Sequence, residues 1–134
     1  MTKELDLCKE TECRVVLLHA IGNTGLLRDG VYQSLKKYSI FGKRESIAAM
    51  KALRQCLELT QMDDKLRARL RHLLVRIVYD QNQETTSRFI AAELISKYLN
   101  DEKTTKELIK HLPAFGKFIN IFELYLMNLK HNIR

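Results

Sequence analysis

The sequence predicts an all-α fold, a right-handed stack of antiparallel helix pairs (an α-α superhelix or solenoid) with about seven helices. Three observations predict it. Apolar residues recur at spacings of three and four in segment after segment, as expected of helices with one buried stripe. One proline and five glycines supply too few turns for a sandwich of short strands. A stretch near the middle also returns, altered, roughly forty residues later, a period that belongs to helical solenoids.

The first helix is expected over about Lys9 to Ile21. Val15, Val16, Leu18, Ala20 and Ile21 leave it little polar surface, so it should be largely buried. It runs into Gly22-Asn23-Thr24-Gly25. Gly22 is expected to take the left-handed conformation that stops a helix, which Asn23 tolerates almost as well. Gly22, Asn23 and Gly25 therefore read as the corner of a helical hairpin, with glycine letting the second helix begin close to the first. That second helix spans about Leu27 to Tyr38, with Val31, Leu35 and Tyr38 on one face, and Ser39 to Gly42 breaks the pattern.

A third helix, about Lys43 to Leu59, carries Ile47, Met50, Leu53 and Leu57 on its apolar stripe. Asp63 and Asp64 stand where carboxylates favour a helix start. The fourth helix follows, with Leu66, Leu70, Leu73, Leu74, Ile77 and Val78 on one side and basic residues on the other. Thr85, Thr86 and Ser87 are the expected caps of a fifth helix carrying Phe89, Ile90, Ala92, Leu94, Ile95 and Leu99. Asn100-Asp101 turns the chain into a shorter helix, about Glu102 to Leu112, which Pro113 and Gly116 end. A last helix, about Phe118 to Lys130, is apolar nearly all round and expects neighbours on more than one side. The internal echo pairs "SIAAMKALRQCL" (Ser46 to Leu57) with "FIAAELISKYL" (Phe89 to Leu99).

The 134 residues suit one domain, residues 1–134, read as a partial helical-repeat domain. With 46% hydrophobic residues the chain can bury a real core, and 29% charged residues of mixed sign do not suggest disorder. A net charge of +7 and a pI near 9.4 permit acidic partners without selecting one. Tryptophan is absent and aromatics are few, so no base-stacking surface is favoured and no nucleic acid is expected. No stretch is long and apolar enough to span a membrane. The start, "MTKELDLCKETEC", lacks the apolar core of a secretory signal. Taken literally the chain is cytoplasmic; it suits an internal piece of a longer protein equally well.

Chemistry leaves no mark on the sequence, and no enzymatic role, cofactor or metal is expected. There is no glycine-rich phosphate loop, and His19, His72, His111 and His131 are scattered outside any metal spacing. His19 sits on an apolar helix face, where a satisfied core histidine is the ordinary reading. Of three cysteines, Cys56 lies in an apolar pattern as a small core residue. Cys8 and Cys13 flank four residues. They read either as two unpaired thiols or as a small loop closed in an oxidising compartment. A zinc site would need more ligands near them, and only His19 is within reach.

The basic helix is the most pointed feature: Lys65, Arg67, Arg69, Arg71 and Arg76, with His72 among them. Lys65 with Arg69, and Arg67 with Arg71, are like charges one turn apart, which mildly weakens an isolated helix. A solvated outer face is one reading of this set. A partner-binding face for an acidic protein is the other.

"LLHAIGNTGL" resembles the "ALGNAG" corner of the large lipid transfer protein family, which includes vitellogenins, apolipoprotein B, insect apolipophorins and the large subunit of the microsomal triglyceride transfer protein. In that family a helix pair follows, then a segment of the type matched here by "SIAAMKALRQC". The stretch "DDKLRARLRHLLVRIVYDQNQETTSRFIAAELI" is similar to the corresponding part of the triglyceride transfer branch, where a "YDQNQ"-like turn (Tyr79 to Gln83) precedes an alanine-bearing helix. The order matches from about Cys8 onward, although Thr24 replaces the usual small apolar residue of the corner, and the segment from His111 is looser.

The resemblance implies the later half of a vitellogenin-type α-helical domain, a helical scaffold in a protein moving neutral lipid and phospholipid to nascent lipoproteins. It implies residence in the endoplasmic reticulum lumen, and protein disulfide isomerase and an apolipoprotein B-type protein as partners. It also favours the bridged state of Cys8 and Cys13. Lipid would be carried only by the full-length parent, because this chain has no room for the lipid-bearing sheets. The alternative from another class is an independent intracellular helical-repeat adaptor that binds an acidic protein.

Overall fold

The computed structural model describes residues 2–110, and it is all-α: seven helices and no strand occur among the described residues. They are α1 (Thr2–Leu7), α2 (Thr11–Thr24), α3 (Asp29–Tyr38), α4 (Lys43–Leu59), α5 (Asp64–Tyr79), α6 (Thr85–Tyr98) and α7 (Glu102–Lys110). The expected helix over Phe118 to Lys130, and the stops at Pro113 and Gly116, lie outside the described residues. In its place among the seven stands α1, which the pattern did not announce. Its six residues bury only Leu5, too little for a helical period to register.

The chain divides into two compact units, one over Met1–Met62 and one beginning at Asp63. In the first, α2 packs chiefly on α4. Glu12 pairs with Arg44 and Arg14 with Glu45 at the helix starts. Near the helix ends, Gly22 lies against Ala52 and the Gln55 amide donates to the Asn23 side chain at 3.3 Å. The residue numbers rise together, so α2 and α4 run side by side in the same direction. Leu18, Ile21, Leu35, Ala49, Met50, Leu53 and Leu57 fill the core around them.

Three expectations are corrected here. The helix ends on Gly25, not on Gly22: Gly25 has φ +69° and its amide bonds the Gly22 carbonyl at 3.1 Å. Gly22 is helical and serves packing, since a methyl there would meet the Ala52 Cα at 2.9 Å. The corner therefore does not close a tight hairpin of α2 on α3; it seats α2 on α4. Nor is α2 largely buried. It buries Leu18, Ile21 and Gly22, while Val16 is 62% exposed and His19 lies on the surface rather than in a core.

In the second unit α5 and α6 are antiparallel. Arg67 reaches the Tyr98 carbonyl at 2.9 Å near one end, and the buried Arg88 donates from Nε to the Val78 carbonyl at 2.9 Å near the other. The helix α7 then runs along α5 in the same direction, through Arg71 with Thr104 and Tyr79 with Leu108. Asp63 caps α5 by accepting from the Leu66 amide at 2.7 Å, and Asp101 caps α7 by accepting from the Thr104 amide at 2.8 Å.

Thr85, Thr86 and Ser87 are not the caps of α6. They are its first turn, with Ser87 buried, and Glu84 holds the cap position without a side-chain capping bond to the helix amides. The tight link before it is an Asx turn, the Asn82 amide donating to Asp80 Oδ1 at 2.9 Å.

Candidate protein-interaction surface

The five basic residues of α5 do not share one face. Arg67 and Arg71 turn toward α6 and α7. Each places a guanidinium nitrogen 3.6 Å from Asp101 Oδ2, and Arg71 Nε donates to the Thr104 hydroxyl at 2.8 Å. Together with Asp64, Ala68, Glu102 and Lys103 they line a cleft of 510 Å³. Burial pushes the Asp101 carboxyl up, but the Thr104 amide and hydroxyl with Arg71 and Arg67 outweigh it. The net effect holds the carboxyl below its ordinary range. These two arginines are the clamp of the helix corner.

Lys65, Arg69, His72 and Arg76 form a second stripe. Their spacings of four, three and four place them within one narrow sector of the helix. Lys65, His72 and Arg76 are exposed and make no ion pair among the described residues, while Arg69 is half-buried. Beside the stripe His72, Val75, Arg76, Tyr79, Asp80 and Glu107 line a cleft of 380 Å³. The Tyr79 hydroxyl donates to the Leu108 carbonyl, and burial raises its pKa. Comparison with protein-family models, curated proteins and solved structures returned no match.

In the first unit Cys8 and Cys13 are joined by a disulfide, and Cys56 is a buried free thiol whose pKa burial raises. The bridge encloses Lys9 to Glu12, and Arg14 sits immediately after it. The Arg14 guanidinium donates to the Cys8 carbonyl at 3.0 Å and to Glu45 Oε2 at 3.0 Å, and it stacks 4.7 Å over the Phe41 ring. Arg14 thus gathers the disulfide loop, the α3–α4 link and the start of α4 onto one cation. Among the described residues no group of three or more His, Cys, Asp or Glu side chains is placed to hold a metal ion. No helix among them is long and apolar enough to cross a membrane.

Sequence reasoning missed three of the residues that organise these surfaces, Arg14, Glu45 and Arg88, and read Asp101 only as part of a helix start. Arg88 had a readable signal, a lone charge at the head of the alanine-bearing run. It is only 1% exposed, and burial lowers its pKa against the opposing effect of Asp80. Arg14 and Glu45 carried no such signal, because their pairing spans 31 positions.

Proposed function

We propose that the chain is a helical scaffold segment of a lipid transfer protein that moves neutral lipid and phospholipid to nascent lipoproteins, serving as structural and protein-interaction surface. One observation carries the reading: the two motifs that resemble the family meet in space. Gly22 of "LLHAIGNTGL" packs on Ala52 of "SIAAMKALRQC", and Asn23 bonds Gln55 of the same segment. Motifs kept in register by a helix–helix contact are worth more than two short matches taken apart.

Two further features support it. In each unit a helix runs parallel to the next but one, α2 with α4 and α5 with α7, which suits a stack of repeated helix pairs. The Cys8–Cys13 bridge suits an oxidising compartment, so residence in the endoplasmic reticulum lumen is part of the proposal. Within that frame the stripe of Lys65, Arg69, His72 and Arg76 meets an acidic face, with protein disulfide isomerase or an apolipoprotein B-type protein as the partner.

Sequencing the full transcript that encodes this segment tests the reading. A signal peptide followed by a β-rich segment upstream is expected. A start codon at Met1 preceded by an in-frame stop would overturn it in favour of an independent intracellular adaptor. The docking stripe has its own test: Lys65→Glu with Arg76→Glu should weaken partner capture about tenfold and flatten its salt dependence. Arg67→Glu is unsuited to this purpose, because it breaks the clamp on Asp101.

A further inference from the structure

The groove between α2 and α4 is a second surface, separate from the stripe on α5. Val15 and His19 of α2 and Arg44, Ile47, Ala48 and Lys51 of α4 line an open hollow of 200 Å³. Its floor is apolar, made by Val15, Ile47 and Ala48. Its rim is polar, made by the His19 imidazole, by Arg44 and by the Lys51 ammonium. Because the two helices run in the same direction, lining positions recur one turn apart on both walls, and the groove extends about two turns, roughly 10 Å. Glu12 at one end pairs with Arg44. One turn before His19, Val16 presents an apolar side chain that is 62% exposed.

We propose that this groove docks an acidic amphipathic helix of another protein. One large apolar side chain of that helix fills the hollow, and carboxylates a turn to either side meet His19 and Lys51. Size and charge select this occupant. A void of about 150 Å³ already admits a benzene-sized group, so this one holds a leucine, methionine or phenylalanine side chain. A helix laid in a groove presents an apolar anchor with neighbours three and four positions away on the same face, where they reach the rim. Charge complementarity asks for acids around that anchor. A bilayer surface, being flat on this scale, does not enter the hollow.

The test uses the full chain and a fluorescein-labelled peptide of about fifteen residues, with leucines on one helical face and glutamates elsewhere. An isomer of the same composition with scattered leucines is the control. Saturable binding of the amphipathic peptide alone is expected, weakening with salt. Lys51→Glu should weaken it about tenfold, and Val15→Phe, which fills the hollow, should do likewise. Circular dichroism separates these effects from unfolding; if Val15→Phe unfolds the chain, Lys51→Glu at the rim decides the matter.

Failure of the wild-type chain to bind the peptide overturns the proposal. So does equal binding by Lys51→Glu, or loss caused instead by Lys65→Glu with Arg76→Glu. Binding of phosphatidylserine-containing vesicles that is lost in Lys51→Glu, without peptide binding, would assign the groove to a membrane. Self-association abolished by Val15→Phe would assign it to a second copy. Either result overturns the proposal. None of these outcomes depends on the lipid-transfer reading.

Discussion

Gly22 works by having no side chain. A methyl there would collide with Gln55 Oε1 and meet the Ala52 Cα at 2.9 Å; the first contact can swing away, but the second is backbone. Gly22→Ala should therefore destabilise the first unit by about 2 kcal/mol, and Gln55→Ala should not restore it. Denaturant unfolding of the single and double variants checks this. Gly25→Ala acts differently: it places a side chain at φ +69°, at a cost of about 1 kcal/mol, with only the flexible Leu59 tip to displace. Arg14→Ala leaves Glu45, 4% exposed, without its guanidinium partner, and a loss of about 3 kcal/mol is expected. At this scale the sequence was half legible. The motif Gly-Asn-Thr-Gly marked the right place, but it assigned the left-handed conformation to the wrong glycine. Sequence shows which residues tolerate a conformation, not which one a distant helix presses against.

Helices α4 and α5 were legible because period and boundary signals agreed. Gly42 precedes α4, whose extent was read as it stands, and Asp63 caps α5. The caps of α6 were misread because Thr85 to Ser87 carry cap chemistry while the chain needs Ser87 inside. The basic helix was legible as an element and not as a surface, since only the position of α7 separates Arg67 and Arg71 from the outer stripe. The corner at the start of α7 makes a pH prediction. The Asp101 carboxyl titrates below its unfolded value, so its contribution is complete above about pH 4 and fades as pH falls through the lower folded value. Asp101→Asn keeps an oxygen for the Thr104 amide and loses the charge. Its unfolding free energy should fall less steeply than that of the wild type on acidification below about pH 4. The short helix α1 depends on ties rather than propensity. Leu5 is buried, the Tyr38 hydroxyl donates to Asp6 at 3.0 Å, and the bridge at Cys8 follows directly. Replacing both Cys8 and Cys13 by serine should cost about 2 kcal/mol for so small a loop, measured by unfolding with and without reductant.

For the whole molecule, the two units have their own buried sets, Leu18, Leu35 and Leu53 in one and Leu70, Leu74 and Leu94 in the other. The link between α4 and α5 lacks regular structure, and Leu59 beside it is 78% exposed. Limited proteolysis should cut first between residues 59 and 63, leaving a first-unit fragment that keeps its helical signal. The fold class was open to the sequence because period and turn scarcity are properties of the chain alone. The division into units was not, because contact between elements decides it. The internal echo shows the difference: Ala48, Ala49, Ala91 and Ala92 are all buried, yet α4 packs mainly on α2 and α6 on α5. The shared orientation of α2 and α4 has an electrical consequence. Two peptide dipoles lie in parallel, so their positive poles sit together where Glu12 and Glu45 answer them, and their negative poles sit together at the far end. Neither helix has a base in its last turn, which leaves that negative pole unanswered. Leu59→Lys would answer it, with a gain of about 0.5 kcal/mol that salt should erase.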